Sequence, residues 1–323
     1  MQVVTARAFG DPSVLAVLDE STPRTAGGQA MVEVAFAPAL YLDTQIRAGR
    51  ARDWFDTAPP YVPGAGVAGT VAEVGDGVDP GWVGRRVVAD TQETGGYAQQ
   101  VVVDADALVV VPDGVGLAEA AALLHDGRTA LRLIDVTAPQ PGEWALVLGA
   151  AGGMGALLVQ LARAAGARVI GAVGSESRKQ ALVRDLDAMP VDYSRPDWTA
   201  DVRELTGGVG VDVLLDGIGG AIGTAAFDLA APGARFSAHG TPAGGFARID
   251  RRSAAARGVV VTGIECAQIA PDEARELVER ALEEAAAGRL RPIIGQRFPL
   301  DRAADAHRAI ESRHVFGKTL LEA

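Results

Sequence analysis

Gly149, Gly152, Gly153 and Gly155 crowd into the seven residues "GAAGGMG". The apolar run "WALVLG" leads into them, and the stretch "ALLVQLARAAG" follows. Such a cluster suits phosphate binding. Gly152 lets the backbone pass close to a pyrophosphate, and Gly155 lets a helix pack tightly on the preceding strand. The free N–H groups and partial positive charge at the helix start then hold the anion. Ala150, Gly152 and Gly155 spell A-x-G-x-x-G, a variant of the G-x-G-x-x-G dinucleotide fingerprint, with Gly149 just before it. Ala150, Gly152, Gly153, Met154 and Gly155 are therefore candidate cofactor-binding residues. The plainer alternative is a glycine-rich tight turn that holds no ligand.

The next apolar run, "RVIGAVG", ends at Gly174-Ser175. A site selecting NAD places an acid there, where it accepts hydrogen bonds from the adenosine ribose. Here the acid is missing. Small Gly174 and Ser175 leave room for a 2′-phosphate, and Arg178 and Lys179 follow to neutralise it through charge-assisted bonds. The expected cofactor is NADPH. Glu176 works against it if it points inward, and Arg178 and Lys179 have the alternative of standing in solvent at a helix start.

These residues need elements to position them. From Met1 to about Ala120, short β-like runs such as "MVEVAFAPA", "GVAGTVAEVG" and "RRVVAD" are broken by Gly, Pro and Asp. That spacing suggests a compact barrel or sandwich. From about Leu117 to Gly263, apolar runs alternate with helix-length segments, the pattern of a parallel sheet covered on both faces. Met154, Leu157, Leu158 and Leu161 follow helical spacing, and Gly166 is placed to end that helix. From Ile264 a long helix and two short strands remain, too little to fold alone, so this tail is expected to return to the first domain.

Bulk properties narrow the classes. The chain has 323 residues, enough for two domains. A net charge of -11 argues against a nucleic-acid or anionic-membrane partner. One cysteine, Cys266, excludes an internal disulfide and any multi-cysteine metal site, and reads as a buried small apolar residue. No signal peptide or membrane span is expected, and a cytoplasmic setting fits.

In order, "ARAFGDPSVL", "YVPGAGVAGTVAEVG", "GGYAQQVVV", "RTALRLI", "GAAGGMGALLVQLARAAGARVI", "TGGVGVDVLLDGIGG" and "LRPIIGQRFPLDRAADAHRAIESR" carry a family likeness along essentially the whole chain. The chain resembles the medium-chain dehydrogenase/reductase superfamily, in its zinc-free quinone oxidoreductase branch, the group containing ζ-crystallin. The resemblance implies an α/β protein with a GroES-like β-barrel domain over residues 1–120 and 264–323. A Rossmann doubly wound domain over 121–263 would bind NADPH. It places Lys179, Tyr193 and Arg313 around the 2′-phosphate, with Ser175 beside them. It also places Thr129 at the nicotinamide end, and Gly217 and Gly240 where backbone passes the cofactor. Zinc relatives carry a "GHE" histidine and glutamate. That place reads Gly64-Ala65-Gly66 here, and His125, His239, His307 and His314 are scattered, so no metal is expected.

Departures from the pattern concern the substrate. Quinone oxidoreductases carry an asparagine in a "VNxxD" segment, where this chain has Leu40, followed by Tyr41 and a retained Asp43; Gln45 replaces a nearby tyrosine. Leu40, Tyr41, Gln45 and Tyr97 are the candidate pocket residues. Hydride transfer to a quinone or another α,β-unsaturated carbonyl leaves negative charge on oxygen, which needs a donor. Tyr41 and Gln45 are the first candidates, with Tyr97 and His125 behind them; Tyr97 has the alternative of a packed strand aromatic. Other readings are a biosynthetic enoyl or enone reductase and a non-catalytic NADPH-binding sensor or structural protein. A homodimer is expected through "GVVVTGIE", which can continue the sheet across a two-fold axis.

Overall fold

A computed structural model of the chain covers residues 1–323 and describes all of them except Ser175, His314 and the side chain of Arg178. The chain divides into two units, residues 1–125 with 278–323, and residues 126–277.

The first unit opens with β1 (Gln2–Ala6), β2 (Leu15–Asp19) and β3 (Gln29–Ala39), which leads directly into the short helix α1 (Tyr41–Arg47). Strands β4 (Gly66–Val74), β5 (Arg86–Asp90), β6 (Gln100–Asp104) and β7 (Leu108–Val110) follow. Valine and alanine at alternating positions turn one face inward: Ala30, Val32 and Val34 of β3 pack with Val67, Val71, Val87 and Val101. Helix α2 (Leu117–Thr137) then runs across the boundary between the units.

In the second unit β8 (Trp144–Leu148), α3 (Gly153–Ala164), β9 (Arg168–Val173), α4 (Ser177–Asp185) and β10 (Met189–Asp192) come first. They are followed by α5 (Trp198–Leu205), β11 (Val211–Asp216), α6 (Gly220–Phe227), β12 (Ala230–Ala238), α7 (Arg251–Ala256) and β13 (Val260–Thr262). Among the described residues these strands form a six-stranded parallel sheet in the order β10-β9-β8-β11-β12-β13. All five residues of β8 are buried, as a strand covered on both faces requires. Trp144, Leu146 and Leu148 point to one side, into a core with Trp198, Phe227 and Phe236.

Helix α8 (Pro271–Ala286) crosses back, and β14 (Ile294–Pro299), α9 (Ala303–Glu311) and β15 (Lys318–Glu322) complete the first unit. Strand β15 pairs antiparallel with β3, and β14 pairs with β15. The division falls inside α8 rather than at residue 264. The reason is local: Arg132 pairs with Glu273 at 2.7 Å and donates to the Cys266 carbonyl, tying residues 264–277 to the second unit. Residues 121–125 group with the first unit, where Leu124 and His125 press against Gly66.

Candidate functional site

In the second unit Gly149 leaves β8 with a φ of +75°, which favours glycine, and Ala150 does not share it. The left-handed turn thus falls one residue before the fingerprint, and an alanine is tolerated after it. The Ala150 methyl also has room, because Gly171 of β9 faces it: a Cβ at 171 would lie 3.1 Å from that of Ala150. Gly152 is the N-cap of α3, and no side chain caps it. The first N–H groups of the helix therefore remain available to an anion. A Cβ on Gly155 would lie 2.1 Å from the Gly149 carbonyl oxygen, so only glycine lets α3 sit this close to the strand. Gly166 ends the helix with a φ of +86°.

At the end of β9, a Cβ on Gly174 would meet no atom of the described residues within 4 Å, its two chain neighbours aside. The glycine there yields no packing inside the chain; it leaves space. The Tyr193 N–H donates to the Val173 carbonyl at 3.0 Å, which puts Tyr193 beside this strand end. Lys179, in the first turn of α4, pairs with Glu176 at 3.2 Å. Glu176 thus faces a cation. Ser175 and the Arg178 side chain lie outside the described residues. Gly217 and Gly240, after β11 and β12, approach each other so closely that a Cβ on Gly240 would lie 1.9 Å from the Gly217 carbonyl carbon. Thr129 is half-buried on α2, and Arg313 follows α9 in the first unit, exposed and with a φ of +59°.

In the first unit α1 begins at Leu40, which has no side chain able to cap it. Asp43 reaches back instead and accepts the Leu40 N–H at 2.8 Å. Tyr41 and Gln45 stand four residues apart, on one face of this helix, and both are half-buried. The Gln45 amide donates to Thr44 Oγ1 at 3.0 Å. The Tyr41 hydroxyl has no partner among the described residues.

Tyr97 requires a correction. It does not line an open pocket: it is fully buried, and its hydroxyl donates to Asp43 Oδ2 at 2.9 Å and lies 3.0 Å from His307 Nε2. Its ring occupies the space over Gly64, where a Cβ would come within 2.4 Å of it. The aromatic is a packed core residue. With the hydroxyl proton pointing to Asp43, His307 donates through Nε2. Burial drives His307 down to about 3, with the nearby Arg47 charge adding to it, so the ring is neutral. Burial raises the Asp43 carboxyl to about 6, against the pull of the Leu40 N–H, the Tyr97 hydroxyl and Lys318. Arg47, also fully buried, pairs with Glu311.

Comparison with known proteins finds family matches in both units. Residues 26–113 match the family described as "Alcohol dehydrogenase GroES-like domain", and residues 186–321 match that described as "Zinc-binding dehydrogenase". A "Probable quinone oxidoreductase" of Schizosaccharomyces pombe is 32% identical over 99% of this chain and 96% of its own length. A "2-haloacrylate reductase" of a Burkholderia species is 33% identical over 87% of this chain and 86% of its own. The crystal structure of Escherichia coli quinone oxidoreductase complexed with NADPH superimposes with a TM-score of 0.91 at 26% identity, covering 100% of both chains.

The chain belongs to the medium-chain dehydrogenase/reductase family.

As a medium-chain dehydrogenase/reductase it is an oxidoreductase with a GroES-like and a Rossmann part. One family description names zinc. Among the described residues no three His, Cys, Asp or Glu side chains stand close enough to hold a metal ion. The Gly64-Ala65-Gly66 place is filled by neighbours: a Cβ on Gly66 would meet Leu124 at 2.4 Å and His125 Nε2 at 2.9 Å.

Two residues of the second unit escaped the sequence reading. Asp216, at the end of β11, accepts the N–H groups of Ile218 and Gly219 at 2.9 and 2.7 Å and locks the turn; burial raises its carboxyl. His239 is buried just past β12, its Nδ1 3.0 Å from Ser237 Oγ. Burial lowers it to about 4, opposed by the Ser237 backbone. The signal for it was the alternation Ser237, His239, two residues on one side of an extended strand.

Proposed function

We propose that this chain is an NADPH-dependent oxidoreductase that reduces a quinone or another α,β-unsaturated carbonyl compound by hydride transfer, without zinc. The observation that carries the reading is the space at Gly174 combined with Lys179 and Tyr193 beside it, at the place where an NAD-selecting site needs an acid. NADPH is also the ligand in the Escherichia coli structure. The quinone oxidoreductase and 2-haloacrylate reductase names of the relatives support an activated, conjugated acceptor.

The residues fit the cofactor. The N–H groups of Gly153, Met154 and Gly155 would face the pyrophosphate, and Gly174, Lys179 and Tyr193 the 2′-phosphate. Ser175 and Arg313 are proposed partners there, and Thr129, Gly217 and Gly240 border the nicotinamide half. Bound NADPH supplies the hydride. The protein holds the acceptor in line with it, excludes water and meets the charge that develops on the acceptor oxygen. Leu40 makes the acceptor side apolar. Tyr41 is the proposed donor, because its hydroxyl is uncommitted while that of Tyr97 is held in the core. Gln45, on the same face, is the second.

The proposal includes a cytoplasmic homodimer. No helix among the described residues is long and apolar enough to cross a membrane. β13 is an edge of the parallel sheet with Val260 58% and Val261 37% exposed, a surface suited to pairing with a second copy.

Following NADPH oxidation with a panel of quinones, enones and saturated ketones tests the reading. Conjugated acceptors should turn over and saturated ketones should not. Tight NADPH binding without oxidation by any acceptor would leave a binding protein in place of an enzyme.

A further inference from the structure

His239, a buried polar side chain of the second unit, has no task in the hydride-transfer reading. Its imidazole is held at one end, where Nδ1 stands 3.0 Å from Ser237 Oγ, and Ser237 Oγ in turn lies 3.6 Å from Cys266 Sγ. The other end is not held. Nε2 is buried and has no hydrogen-bond partner among the described residues. It lies 3.6 Å from the position a Cβ on Gly217 would take, so it points at the turn that ends β11. The backbone that carries the ring is pinned as well, since the His239 and Gly240 N–H groups both donate to the Asp216 carbonyl, at 3.2 and 2.8 Å. A buried polar atom without a partner costs about 1–3 kcal/mol, so a ligand atom that pairs with it recovers that loss.

Topology indicates which ligand atom. The chain builds β8, β9 and β10 outward in one direction, then returns to add β11, β12 and β13 on the other side of β8. The switch point lies between β8 and β11, at the strand carboxyl ends where a dinucleotide binds across the sheet. The 2′-phosphate features gather at β9, so the nicotinamide half belongs over β11 and β12. His239 stands at that end.

We infer that His239 Nε2 hydrogen-bonds the carboxamide of the bound nicotinamide, with Ser237, itself beside Cys266, holding the ring at Nδ1. This rests on the NADPH reading above. A carboxamide offers both a carbonyl acceptor and an N–H donor, so it pairs with either neutral tautomer of the imidazole. His239 is thus a specificity residue for the nicotinamide half alone and takes no part in holding the phosphates.

The test separates the two halves of the cofactor. NADPH and adenosine 2′,5′-bisphosphate, which lacks the nicotinamide, are titrated by calorimetry into the parent, His239→Leu, His239→Gln and Ser237→Ala. His239→Leu should weaken NADPH about tenfold and leave the bisphosphate unchanged, the worth of one buried hydrogen bond. His239→Gln, which carries a donor and an acceptor, should recover most of the loss. Ser237→Ala should show the same selective loss in smaller measure, and it decides the matter if His239→Leu does not fold. Unchanged NADPH affinity, or an equal loss for both ligands, overturns the inference. A parent that binds neither ligand removes the NADPH reading itself, and this inference with it.

Discussion

The corner around α1 and the strand ends of the second unit treat polar groups in opposite ways. Behind α1, Asp43, Tyr97 and His307 form a buried chain in which the tyrosine hydroxyl serves both neighbours. On its outer side one tyrosine hydroxyl remains uncommitted. At the second unit's strand ends the working surface is backbone and glycine: the uncapped start of α3, Gly174, and the Gly217–Gly240 contact. In the proposed reading, side chains alone meet the acceptor in the first region, whereas in the second a few side chains (Lys179, Tyr193, His239) work beside bare backbone and the space that glycine leaves. A cofactor site built from glycine is sensitive to any added atom. The substrate side we propose, built from one helix face, would be retuned by changing single residues such as Leu40.

The largest expected effect comes from removing the uncommitted hydroxyl. Tyr41→Phe should lower kcat by about 10²–10³, the usual loss for a single oxyanion donor, and leave NADPH affinity unchanged. Steady-state kinetics beside a binding titration checks it. Turnover at the parent rate would make Tyr41 a wall, with water or Gln45 as the donor.

Acid should then pull the two regions apart. Asp43 titrates near 6 in the folded chain, against 3.8 for an ordinary aspartate, so between these values the folded state binds more protons than the unfolded one. Its contribution to stability therefore grows as pH falls through that window, by about 1.4 kcal/mol per pH unit. His239 is lowered from 6.5 to about 4, so there the unfolded state binds more protons and stability is lost as pH falls. His307 acts like His239 and offsets Asp43 within the first unit. Urea unfolding near neutral pH and at about pH 5 should show Asp43→Asn more acid-sensitive than the parent and His239→Leu less so, each by roughly 1–2 kcal/mol. Three identical pH dependences would dissolve the contrast.

The smallest effect concerns the glycine-lined side. NADPH should bind at least about tenfold tighter than NADH, a difference of ~1.4 kcal/mol, and Lys179→Ala should weaken NADPH and spare NADH. Equal affinities in a fluorescence titration would mean that Glu176 holds Lys179 too firmly for it to serve a phosphate.

What could be read without coordinates was whatever depends on neighbours in sequence. The parallel sheet follows from apolar runs such as "WALVL" separated by helical spacing, because periodicity reports which face is buried. The phosphate turn follows from the spacing of Gly152 and Gly155, because at Gly155 the close approach of the Gly149 carbonyl leaves no room for a Cβ. Gly174 showed a missing acid by its position alone. Tertiary structure decided what depends on partners far along the chain. Tyr97 and Tyr41 look alike as candidate donors; only packing against Gly64 and bonds to Asp43 and His307, 54 and 210 residues away, commit one and leave the other. The same holds for the orphan Nε2 of His239 and for Ala150, whose place in the fingerprint is intelligible only once Gly171 is seen opposite it. Local sequence sets which conformations a segment accepts, whereas hydrogen-bond commitment is settled by whichever groups the fold brings within 3 Å of each other, roughly the length of the bond itself.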